Sequence, residues 1–364
     1  SVGEIIATLE DGTIVDWVAF NDSHSLIKDY TRVAENLLAE RLGKAPERTF
    51  LYGKSAGARL ARGMNYLGNR LNVDAAGKPV FDGFLVDDSA AGTWLPVVMG
   101  DGKDTLLDEE AEQAAFVPQL ELVHQAYWNF NNHDLPPFVT HSFLANKYAN
   151  ARILVEKGLG EKFRVYEIRQ LSHDGGSGYP DGRRGKLQIL DLSLLMEGAI
   201  RILDAWAGGT APPVSRSDHL PIGDVDDDGV LDHPALSYPE VACPLGRFFP
   251  WPKSGAGTTS WAAFTGEGIE PRDEQGVFVD LNGNGLWDFR ETPTQAWQRL
   301  GLLEHGEALT RQHYVNCVGN AAAALAALGF FDTETVTAYV KAAGDVNIEP
   351  ASDDEHALIY YSRF

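Results

Sequence analysis

With 364 residues, 44% of them hydrophobic and 23% charged, the chain has the composition of a folded protein, long enough for one large core plus an accessory region. Its 30 basic and 52 acidic residues give a formal charge of −22, which repels a phosphate backbone and an anionic membrane surface alike and makes nucleic acid a poor candidate partner. No apolar run approaches the roughly 20 residues that cross a bilayer.

The first 208 residues alternate between strand and helix patterns. A β-rich run, Thr13 to Asn21, leads into an amphipathic helix, Ser25 to Leu42, and then a short strand, Arg48 to Tyr52. After a Gly-bounded turn comes a helix rich in Ala, Leu and Arg, then a buried-looking strand, Phe81 to Val86, and a polar and aromatic segment. A strand around Phe138 to Thr140, a helix near Ala149 to Lys157, a strand Phe163 to Ile168 and a closing helix, Leu192 to Trp206, complete the region. Such alternation predicts an α/β fold with a mainly parallel sheet covered on both faces. The Gly-, Pro- and Ser-rich stretch Ala207 to Ser217 marks a boundary, so the expected domains are a core at 1–208 and an accessory region at 209–364. The latter carries two acidic turns, a Pro- and Trp-rich stretch and two helices, Arg311 to Leu328 and Thr333 to Ala343.

Between the strand ending at Tyr52 and the helix after it stands Gly53-Lys54-Ser55-Ala56-Gly57, a G-x-S-x-G pentapeptide. In a nucleophile elbow this pattern lifts the serine on a strained turn at the end of a strand, and small residues two before and two after it let strand and helix approach. The helix N-terminus then lies beside the reacting carbonyl, with the N–H of Ala56 as an oxyanion donor. A serine hydroxyl needs a base, and His173 lies in a glycine-rich loop after the strand Phe163 to Ile168, where this fold carries it. The acid is less clear. The stretch Phe138 to Asn146, after the strand expected to precede the histidine strand, offers no carboxylate, which leaves Asp88, with Asp87 as its alternative, at the end of the strand Phe81 to Val86.

The elbow GKSAGARLARGMNYLG, the strand FDGFLV, the segment FRVYEIRQLSH and the C-terminal YVNCVGNAAAALAALGFFDTETVTAYVKAA together resemble the α/β-hydrolases, and more narrowly large exported α/β-hydrolase-domain proteins. The resemblance implies hydrolysis of carboxylic esters or lactones through an acyl-enzyme, and no particular substrate. About 47 residues precede the elbow strand, enough for one or two strands where the fold has several. Two readings follow. Preceding sequence exists as a separate segment, such as a second chain from the same precursor that supplies the early strands, or Asn21 to His24 lies near the site and supplies what is missing. The chain begins without an initiator Met or a signal peptide, so the expectation is that it either begins after processing or is one piece of a longer precursor.

Two acidic loops point to calcium. Asp280, Asn282, Asn284, Gly285, Asp288 and Glu291 match positions one, three, five, six, nine and twelve of the twelve-residue calcium loop, with Glu291 able to give both carboxylate oxygens. Asp224, Asp226, Asp228, Gly229 and Asp232 repeat the first nine positions without the twelfth. A structural Ca2+ in an exported protein, secreted or periplasmic, is the expectation. Cys243 and Cys317 lack CxxC spacing, and whether they pair is open. Trp94 and the aromatic run Ala126 to Asp134 suit either core packing or a pocket for apolar or aromatic ester substrates. Two alternatives share these residues: a calcium-dependent binding or scaffold protein on an inactive hydrolase core, and a serine peptidase or amidase.

Overall fold

The computed structural model describes residues 7–8, 14–15, 23–88, 107–124, 153–168, 193–212, 239–245, 247–249, 261–263, 293–346 and 348. The chain divides into two compact units, one made of Ser1–Leu122, Phe143–Val165 and Leu203–Leu220, the other of Val123–Ser142, Tyr166–Ile202 and Pro221–Phe364.

Strands β1 (Ala7–Thr8) and β2 (Ile14–Val15) pair antiparallel, and helix α1 (Ser23–Leu42) follows. Then come β3 (Phe50–Lys54), α2 (Ala56–Tyr66), α3 (Gly68–Leu71), β4 (Gly83–Asp87), α4 (Glu110–Ala115), β5 (Gln119–His124) and β6 (Phe163–Ile168). The four strands form one sheet in the order β3-β4-β5-β6, with β3 parallel to β4 and β4 parallel to β5. Every residue of β4 and β5 is buried, as the central strands of a parallel sheet covered on both faces must be. This is an α/β fold.

Side chains alternate across a strand, and the two faces of β4 meet different helices. Phe84 and Val86 pack with Ala58, Ala61 and Met64 of α2. On the opposite face Gly83 lies under Leu203 of α5 (Ser193–Ala207), where an added Cβ would stand 3.0 Å from the leucine Cδ1. Arg48, just before β3, is tied to the same end of α5 by two bonds to Asp204, at 2.6 and 3.1 Å.

The face of α2 toward the sheet is partly polar. Arg62 donates from Nε and Nη2 to the two carboxylate oxygens of Glu121 on β5, at 2.8 and 2.9 Å, with both side chains almost wholly out of water. Gln119 donates to the same carboxylate, and Asn65 donates to Gln119 and to the Val117 carbonyl while accepting from the Val117 N–H. Charges taken out of water must be paired and bonded in this way, because removing one partner from a buried pair costs about 3–5 kcal/mol. The network therefore fixes α2 on β5 in one register. Burial pushes the Tyr66 hydroxyl, one residue beyond Asn65, far above the ordinary tyrosine range, and the nearby Glu121 charge adds to that.

In the second unit helices α6 (Pro239–Ala242), α7 (Pro293–Arg299), α8 (Arg311–Ala327) and α9 (Thr333–Asp345) accompany the antiparallel pair β7 (Arg247–Phe249) and β8 (Trp261–Ala263). The buried residues of α8, Tyr314, Val318, Ala322 and Leu325, recur at three- and four-residue spacing, as do Thr335, Tyr339 and Ala343 of α9, and these stripes make the helix pair. Cys243 and Cys317 form a disulfide that joins the end of α6 to α8.

Most elements expected from the sequence stand within a few residues of their places. The main difference lies between β4 and β6. The sheet contains β5 at Gln119–His124, inside a segment read as polar, while the strand expected at Phe138 to Thr140 lies outside the described residues. Gln119 and Glu121 disguise β5 because their partners are on α2, more than 50 residues earlier in the chain.

Candidate functional site

The pentapeptide forms a strand-to-helix turn. Strand β3 ends at Lys54 and α2 begins at Ala56, so Ser55 alone makes the corner, with φ 54° and ψ −117°. A side chain at positive φ with this ψ costs about 1–3 kcal/mol and persists only where the surroundings impose it. They do so here from two sides. The Ser55 N–H donates to the Asp87 carbonyl at 2.9 Å, which continues the β3–β4 ladder one residue past Lys54, and the Ser55 carbonyl accepts the Arg59 N–H at 3.2 Å, which opens the helix.

The two glycines differ in what they do. A Cβ on Gly53 would fall 2.5 Å from the Gly57 carbonyl carbon and 2.8 Å from the Ala58 nitrogen, so only glycine fits where β3 passes beneath α2. A Cβ on Gly57 would meet nothing within 4 Å. The close approach expected of both positions therefore requires a glycine at 53 alone.

Asp87 is the last residue of β4 and Asp88 the next, and both are fully buried. Asp88 has φ 44°, in the left-handed region that Asp tolerates better than most residues, and its N–H donates to the Leu122 carbonyl of β5 at 2.9 Å. Ser55 and the two carboxylate residues thus gather at the carboxyl ends of adjacent parallel strands, the edge at which open α/β sheets carry ligands. His173 lies outside the described residues, as do Trp94, the run Ala126 to Asp134 and both acidic loops, Asp224 to Asp232 and Asp280 to Glu291. Among the described residues there is no cluster of three or more His, Cys, Asp or Glu able to hold a metal ion, and no helix long and apolar enough to cross a membrane.

Three further residues of β3, β5 and α2 were not singled out in the sequence. Tyr52, two residues before Lys54 on β3, donates its hydroxyl to the Asp87 carboxylate at 2.9 Å. Burial, followed by the Asp87 charge and this bond, pushes the Tyr52 hydroxyl well above the ordinary tyrosine range and keeps it a donor. His124 closes β5 and is fully buried. Arg62 anchors the elbow helix from within. Strand parity could have indicated the first: Tyr52 and Asp87 share a face once β3 and β4 pair in register, with Tyr52 opposite Leu85 and Lys54 opposite Asp87.

Compared with known protein families, with curated proteins and with solved structures, the chain matches none.

Proposed function

We propose that the chain is a serine hydrolase that cleaves carboxylic esters or lactones through an acyl-enzyme, with a preference for apolar or aromatic substrates. The observation that carries this reading is the backbone of Ser55, a non-glycine residue at φ 54° between a parallel strand and the helix after it. In this reading His173 takes the proton as Ser55 attacks the carbonyl, and the Ala56 N–H at the start of α2 receives the developing oxyanion. Asp88 or Asp87 orients the imidazole, and water then releases the acyl group. Because the site needs the imidazole to reach Ser55 from the chain after β6, this α/β fold is read as an α/β-hydrolase.

The test is direct. In Ser55→Ala, turnover of a p-nitrophenyl ester falls by about three orders of magnitude or more, the melting temperature stays as it was, and labelling by a fluorophosphonate is lost from the peptide that carries residue 55. A wild type that neither hydrolyses esters nor takes the label defeats the reading and favours a scaffold or binding protein. Turnover of amides in preference to esters redirects it to a peptidase or amidase.

The same proposal includes an exported protein stabilised by Ca2+ at Asp280, Asn282, Asn284, Asp288 and Glu291, and at Asp224, Asp226, Asp228 and Asp232, and a second chain that supplies early strands. The spacing of oxygen-bearing side chains in the sequence supports the calcium part. Chelation lowers the melting temperature and added calcium restores it; a melting temperature indifferent to chelator removes calcium from the proposal. A single species of 39.7 kDa with full activity removes the second chain.

A further inference from the structure

We propose that Tyr52 is a positioning residue of the Ser55 site, its hydroxyl holding the Asp87 carboxylate in place beside the turn that carries the serine. This rests on the hydrolase reading above and names a group that the elbow motif does not contain. Register pairs Tyr52 with Leu85 and Lys54 with Asp87, so Tyr52, Lys54, Leu85 and Asp87 project from one face of the sheet, the face opposite α2. From there the Tyr52 hydroxyl crosses diagonally to Asp87 Oδ2, at 2.9 Å. The carboxylate it meets is fully buried, while Tyr52 as a whole is 49% exposed, so a half-exposed side chain reaches a buried carboxylate. The main chain of the same aspartate is bonded to the nucleophile's own N–H. Any tilt of Asp87 therefore bears on Ser55 through one hydrogen bond.

A hydroxyl donated to a carboxylate favours its ionised form, and a charge-assisted bond is stronger than a neutral one. Other charged or titratable groups on the elements that pack against β4 are Lys54 of β3, Glu121 and His124 of β5, Arg59, Arg62 and Tyr66 of α2, and Glu197, Arg201 and Asp204 of α5. Asp88 follows Asp87 immediately past the end of β4. Arg62 and Glu121 are engaged with each other on the α2 face, and Asp204 with Arg48 at the start of β3. Tyr52 donates to the Asp87 carboxylate from the face opposite α2.

The experiment uses the full chain with Tyr52→Phe, which keeps the ring and removes the hydroxyl. Aspartate labelled with carbon-13 at its carboxyl is followed by NMR through a pH titration, and the Asp87 signal is assigned by its loss in Asp87→Asn. In Tyr52→Phe the Asp87 carboxyl titrates about one pH unit higher than in the wild type. With p-nitrophenyl butyrate kcat falls roughly tenfold while KM stays within about twofold, and the acid limb of kcat/KM moves to higher pH in step with the NMR titration. A ring that served only to pack would move neither the titration nor the profile. Identical Asp87 titrations in the two proteins overturn the proposal, as does an unchanged kcat. A shifted titration in a wild type that hydrolyses nothing sinks the hydrolase reading and, with it, the role of Tyr52 in turnover, but leaves the Tyr52–Asp87 pair standing.

Discussion

Helix α2 starts straight from a strained serine that makes no side-chain capping bond, whereas α8 starts behind Thr310, whose hydroxyl accepts the His313 N–H while the His313 ring accepts the Thr310 N–H. The second arrangement is a capping box, which satisfies orphan N–H groups and stabilises a helix by about 1 kcal/mol. The first gives up that stabilisation. Each helix is then held by different means. Helix α2 is fixed by buried polar pairs to β5, which tolerate a single geometry, and α8 by an apolar stripe against α9 together with a disulfide to α6. Helix α2 is thus held from below by Arg62 and Asn65, since its own N-terminus supplies no side-chain cap. Helix α8 closes its own end through Thr310 and His313.

The sharpest way to break that contrast is at the glycines of the pentapeptide. Gly53→Ala drives a methyl group into the Gly57 carbonyl, and because backbone rather than a flexible side chain must move, it costs about 5 kcal/mol, the far end of what single substitutions do. Gly57→Ala places its methyl in open space in the first turn of an exposed part of a helix and stabilises by about 0.5 kcal/mol through the unfolded chain. Chemical denaturation of both variants measures the difference. Equal stabilities would mean that β3 and α2 do not approach closely at residue 53, and the imposed strain on Ser55 would lose its cause.

This asymmetry also marks how far the sequence could be read. The pattern Gly53-Lys54-Ser55-Ala56-Gly57 between an apolar strand and a helix announced the turn and its strained serine, because those features are local to a few residues. Strands β4 and β6 and helices α1, α2, α5, α8 and α9 were legible for the same reason, each carrying its own periodicity or apolar run. The distinct duties of the two glycines were not, since they depend on which backbone lies over which Cα. Strand β5 was missed because Gln119 and Glu121 look solvated until Arg62 and Asn65 arrive from α2. Tyr52 was missed because its partner, Asp87, is 35 residues away and becomes a neighbour only through the β3–β4 register. Pairing of Cys243 with Cys317 was open in the sequence for a like reason: 74 residues separate them, and only the meeting of α6 with α8 brings their Cα atoms to 5.8 Å.

That disulfide gives the smaller test of the same contrast. In the chain-entropy account a cross-link stabilises by restricting the unfolded state, and removing one that spans 74 residues costs about 4.4 kcal/mol. Cys243→Ala combined with Cys317→Ala therefore lowers the denaturation midpoint without changing how α8 begins, because the capping box at Thr310 and His313 and the buried stripe from Tyr314 to Leu325 are untouched. Hydrogen exchange reads the two parts separately. If α8 is held as argued, its amides between Tyr314 and Leu325 exchange faster in the double variant, by up to the factor the lost stability allows, while those of α2 keep the protection given by Arg62, Asn65, Gln119 and Glu121 wherever exchange proceeds by local opening. Should α2 lose protection by local opening to the same degree as α8, the buried polar pairs would not be what fixes the elbow helix, and the two helices would share one source of stability instead of two.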